Sequence, residues 1–153
     1  QFIQADAASR RGLIQVLGPT RMFPGIHDSL LVAYSANSES RELALSLQPH
    51  HGSAPAPFSI VFQGTAAHCF EAPLLPAILL DIITFSAEAL LRAEWQSIEQ
   101  GFKNCGWPGP WAATFANAVR FAESNSLQGF QVESSYGMSG WVLAQSARLV
   151  DGP

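Results

Sequence analysis

From Ser86 to about Asn104 the chain keeps a helical period, whereas the apolar runs on either side of it keep a period of two. A helix buries one stripe and a strand buries alternate residues. A chain that switches period once and then switches back must lay its helical part on a sheet built from both flanks. At helical spacing Ala87, Leu90, Leu91, Trp95, Ile98 and Phe102 share one apolar arc, and Glu88, Arg92, Glu99 and Lys103 lie opposite. Glu88–Arg92 and Glu99–Lys103 are i,i+4 pairs with the acid first, the better orientation. Ser86 is the expected N-cap, and Gly106 with Pro108 the expected stop.

Ahead of the helix, Leu30 to Ala36 alternates, with Leu30, Val32 and Tyr34 on one side and Leu31, Ala33 and Ser35 on the other. The turn NSES and the run RELALSLQ complete a hairpin. FSIVFQG (58–64) is the clearest strand, TAAHCFE (65–71) a returning one, and ILLDIITF (78–85) either a strand or a run-in to the helix. After the helix come the elbow WPGPW (107–111), a second helix from about Trp111 to Glu123, and the runs GFQVESSY and WVLAQSARLV. The expected fold is one α+β domain over residues 25–150. Its mainly antiparallel sheet has about six strands, and two helices are inserted between the first four and the last two. Residues 1–24 read as a weakly structured or helical lead-in, with Leu13, Ile14, Val16 and Leu17 forming a turn or two.

Composition narrows the function. Charged residues make up 13% of the chain, against roughly 25% in an average domain. So little charge suggests a covered face, and a homodimer is expected. The net charge is −4 with Lys103 as the single lysine, so no basic stripe exists to neutralise phosphates and nucleic-acid binding is not expected. The apolar stretch Ala72–Ile83 is broken by Pro73, Pro76 and Asp81, and a membrane span needs roughly 20 apolar residues. Cys69 and Cys105 stand far apart, which fits free thiols in a cytoplasmic protein.

Candidate chemistry is sparse. No phosphate-binding loop, nucleophile elbow, zinc-protease or dinucleotide pattern occurs, and no cofactor is expected. His27-Asp28 precedes an alternating strand, where neighbours point apart; the doublet reads as Asp28 serving local backbone and His27 beside it in solvent, with both kept as binding candidates. His50-His51 and His68 lack the close ligand spacing of a metal site, so no metal is expected. His68 and Cys69 should face opposite ways, and Cys105 projects onto the apolar arc. Glu94 falls inside that arc and needs a partner, here expected to be an arginine. If the protein were an enzyme, Glu94 with His27 or His68 would be the acid–base candidates, as in a small hydrolase. Trp107 and Trp111 flank the elbow and are binding candidates, because tryptophan is enriched where partners dock.

Three stretches, HDSLL, VFQGTAAHCF and SSYGMSGWVLAQS, resemble a loose family of small, mostly bacterial, uncharacterised α+β domains, some associated with polymorphic-toxin immunity proteins. The resemblance covers most of Gly25 to Val150. It brings no catalytic residues and implies a non-enzymatic binding or inhibitory module for a protein partner rather than an enzyme; apart from the resemblance, a structural homodimer is the alternative.

Overall fold

A computed structural model describes residues 19–49 and 56–152. The expected helical turn at Leu13–Leu17 and the His50-His51 doublet lie outside them. The described elements are β1 (Thr20–Arg21), β2 (Ser29–Asn37), β3 (Glu42–Gln48), β4 (Phe58–Gln63), β5 (Ala67–Glu71), β6 (Ala77–Ser86), α1 (Ala87–Cys105), a 3-10 turn (Pro110–Ala112), α2 (Phe115–Ser124), β7 (Gln128–Tyr136), β8 (Ser139–Ala144) and β9 (Ser146–Asp151). The class is α+β with a mainly antiparallel sheet, as the change of period requires. Among the described residues the strand count is corrected to nine, and the helices lie between the sixth and seventh of these strands.

Each extra strand has a local cause. ILLDIITF becomes β6 because it gains partners on both edges, β2 and β1 on one and β7 on the other. β1 is two residues long and shows no period of its own. The closing run WVLAQSARLV is cut at Gln145, whose N–H donates to the Gln63 carbonyl at 2.9 Å and whose side chain donates to the Asn125 carbonyl at 3.0 Å.

The strand order is β5-β8-β7-β6-β2-β3-β4-β9, with β1 also on β6. β5 follows β4 closely in the chain, and β9 follows β8. The β4–β9 ladder therefore runs on into the β5–β8 ladder, and the sheet curls until its two ends meet. Inside the curl Leu31, Leu43, Leu45, Ile60, Phe62 and Phe130 are fully buried. The rings of Phe62 and Phe130 meet edge to face at 5.3 Å, an arrangement worth about 0.5–1.5 kcal/mol beyond burial.

A second core sits outside the curl. Leu90, Leu91 and Ile98 of α1 pack with Ala118 and Ala122 of α2 on Trp141 and Leu143 of β8. β8 is thus buried on both faces, Val142 and Ala144 toward the interior and Trp141 and Leu143 toward the helices. α1 is capped as its sequence requires: the Ser86 hydroxyl accepts from the Ala89 N–H, and Gly106 closes the helix at φ 75° with its N–H on the Phe102 carbonyl. Both expected ion pairs form, Arg92–Glu88 at 3.0 Å and Lys103–Glu99 at 3.3 Å. The second helix starts later than expected, at Phe115, because Thr114 caps it by accepting from the Asn117 N–H. Cys105 is exposed rather than on the packed arc, and its thiol donates to the Gly101 carbonyl at 3.5 Å.

Candidate functional site

The alternation expected for β2 breaks. Leu31 faces Leu47 and Ala33 faces Ser46, so Val32 is an extra residue, a bulge. A bulge adds one residue and flips the faces beyond it. Tyr34 and Ala36 consequently lie opposite the core residues Leu45 and Leu43, yet Tyr34 is 42% exposed. β2 bends away from β6 at the same point: the two strands pair only at Ser29–Leu31. From Val32 to Asn37, β2 pairs along one edge, with β3, and the other edge has no strand partner among the described residues.

β5 lies across this open mouth of the curl. The Tyr34 and Phe70 rings meet edge to face at 5.7 Å, and His68 tilts against Phe70 at 5.6 Å. Beside them is a cleft of about 490 Å³ between the end of the β2–β3 hairpin and the start of β5. Asn37, Arg41, Glu42, Thr65 and His68 line its polar part, over Leu43. The Thr65 N–H donates to the Arg41 carbonyl at 2.9 Å, which fixes the hairpin end to the β4–β5 bend. Burial holds the His68 imidazole below its ordinary pKa, so the ring is neutral at pH 7 and offers a donor and an acceptor rather than a charge.

The residues singled out from sequence fall in different places. His27 and Asp28 are at the turn between β1 and β2, beside β6, with Nδ1 of His27 3.2 Å from the Asp28 carboxylate and both side chains largely exposed. Asp28 serves the backbone differently from expectation. Its residue adopts φ 65° and its N–H donates to the Leu79 carbonyl at 2.8 Å, while the carboxylate, among the described residues, meets the neighbouring imidazole. Short polar side chains tolerate that left-handed conformation better than most. The small cleft there, about 40 Å³, is closed by an Arg21–Asp81 ion pair at 2.9 Å.

Glu94 lines a third cleft, between α1 and the sheet, together with Cys69. No arginine pairs with it among the described residues. His68 and Cys69 do face apart, His68 into the mouth and Cys69 toward α1. Glu94, His27 and His68 therefore line three separate clefts, and no acid–base pair assembles from them. Trp107 and Trp111 are half-buried and turned into the helix-side core. Trp107 packs on Trp141 at 5.9 Å, and Trp111 stacks on Phe121 at 5.0 Å with planes 4° apart.

No three His, Cys, Asp or Glu residues converge on a metal position among the described residues, and no helix among them is long and apolar enough to cross a membrane. The residues that sequence reasoning missed are Val32, Tyr34, Arg41 and Phe70. Only the uncharged composition of VAYSAN hinted at an unusual strand edge. Compared with known proteins, the chain matches no family model, no curated protein and no solved structure.

Proposed function

We propose that this protein is a binding module that takes an extended segment of a protein partner as an added strand along Val32–Asn37. One observation carries the reading: a strand edge that is unpaired among the described residues and carries no charged residue runs beside a cleft of about 490 Å³. Free edges are usually defended by charge, proline or covering structure. The outer strand β9 follows that rule with Arg148 and Asp151, whereas Val32–Asn37 does not. In strand addition, main-chain hydrogen bonds supply affinity and a pocket for alternate side chains supplies selectivity. Here the cleft by His68 and Arg41 would receive such a side chain. The resemblance to immunity-associated domains supports an inhibitory version of this role, in which the captured segment belongs to the protein being blocked.

Selection from a displayed decapeptide library tests the proposal. Enriched peptides should alternate apolar and polar residues, protect amides between Val32 and Asn37 from exchange, and lose binding to a variant carrying Ala33→Lys and Ser35→Lys. Enriched peptides whose protection maps elsewhere, or that ignore the two lysines, would refute it. The same uncharged edge favours a second reading, antiparallel pairing with another copy of the chain. A concentration-dependent dimer that the lysine variant abolishes would establish that form; a strictly monomeric mass at micromolar concentration would remove it.

A further inference from the structure

The cleft between α1 and the outer face of the sheet encloses about 180 Å³ and is separate from the strand edge. Glu71 of β5 and Glu94 of α1 reach it from different elements, and Phe85 of β6 and Trp141 of β8 supply aromatic wall. No lysine, arginine or histidine lines it, and neither carboxylate has an ion pair among the described residues. Burial, and then the charges of Glu71 and Glu94, raise the pKa of the Cys69 thiol, which lines the same cleft. Trp141, which lines the cleft, is also packed by Trp107 with ring centres 5.9 Å apart.

We propose that this cavity binds a small organic cation, an alkylammonium on a short apolar body, with its charge held by Glu71 and Glu94 and its body against Phe85 and Trp141. A cation leaving water needs a counter-charge, and an aromatic face adds attraction when the cation comes within about 6 Å of the ring centre. An alkylammonium matches all four walls. A bare metal ion does not, because the donors do not converge on one point and much of the lining is carbon.

Indole fluorescence titrated with n-butylammonium, and with 1-butanol as its neutral match, tests the assignment; loss of the signal in Trp141→Phe identifies the reporting ring. The amine should bind saturably and the alcohol at least about tenfold more weakly, since only the amine gains the charge. Glu94→Gln should weaken the amine about fivefold, and Glu99→Gln, on the wet face of α1, should not. Ala93→Leu fills the cavity from an exposed helical position and should abolish binding with the fold intact by circular dichroism. Nα-acetyl-lysine methylamide binding more tightly than the free amine would make a protein side chain the occupant; the reverse would make it a free metabolite, and either agrees with the site. Equal affinity for the alcohol, no saturation with the amine, or unchanged amine binding in a folded Glu94→Gln or Ala93→Leu variant would overturn the proposal.

Discussion

Replacing Gly140 by alanine should be among the most damaging single-methyl additions in this chain. A Cβ built on Gly140 lies 2.0 Å from the Cys69 carbonyl oxygen and 2.8 Å from the Phe70 Cα, both backbone atoms, whereas ordinary contact begins at 3.4 Å. The neighbour cannot rotate away as a side chain would. β5 and β8 must separate by more than an ångström in the middle of a ladder that runs from Ala67↔Leu143 to Glu71↔Ser139. Losing about two backbone hydrogen bonds costs roughly 1–3 kcal/mol, and overpacking elsewhere in a tight core costs a further ~1–3 kcal/mol. We expect a total of about 2–6 kcal/mol, a large part of the ~5–15 kcal/mol that holds an average domain together.

Urea unfolding of Gly140→Ala beside Gly25→Ala separates sterics from backbone preference. Gly25 has φ 87° and nothing within 4 Å of its Cβ position, so alanine there should cost only the left-handed conformation, about 1–2 kcal/mol. Amide exchange would place the Gly140→Ala damage in β5. Because β5 carries His68 on one face and Cys69 on the other, the variant should loosen both clefts at once. Wild-type stability with β5 amides protected as before would show that the two strands are not as closely apposed as the geometry states.

Three further outcomes follow from the placement of single groups. His68 has its pKa lowered by burial, so the unfolded chain binds its proton more readily. Stability should then fall as pH drops from about 6.5 through the lowered folded value, and His68→Gln should flatten that part of a pH series of urea midpoints. Glu94 shares its cleft with the Glu71 carboxylate and has no ion-pair partner among the described residues, so Glu94→Gln should leave stability unchanged or slightly raised, while Glu99→Gln, which breaks the pair with Lys103, should lose no more than ~0.5 kcal/mol; a Glu94→Gln loss above that of Glu99→Gln would reveal a hidden partner. Asp28→Gly should be tolerated because glycine accepts φ 65°, whereas Asp28→Val should cost about 1–2 kcal/mol, and thermal melts giving the opposite order would count against the left-handed assignment.

The parts of the fold that local pattern controls were legible in the residues. α1 could be read down to its cap, its stop and its two ion pairs, because each depends on residues within one or two turns. The hairpin of β2 and β3 was legible for the same reason. What could not be read depends on partners distant in the chain. Nothing in LLVAYSAN announces the bulge at Val32, which arises because β2 must leave β6 after Leu31 to follow the curl. The apolar arc of α1 placed Glu94 inward correctly, but its surroundings come from β5 and β8, and no local pattern specifies them.

The candidate sites share that origin. A flat antiparallel sheet would have paired β2 along its whole length and left Tyr34 in a covered row. Curling brings β5 across the mouth instead, since β4 and β8 both bend where Gln63 and Gln145 meet. The bend divides one adjacent pair of residues between two environments: His68 enters the cleft beside the free edge, and Cys69 enters the acidic cavity under α1. A strand that lined only one core would place one of these residues in solvent. β5 packs toward both cores, with Ala67 and Cys69 facing the helix layer and Phe70 the interior. The open edge and the cavity are therefore two consequences of a single strand crossing the end of a curled sheet, and a change that displaces β5 should disturb both, while changes confined to α1 should reach only the cavity.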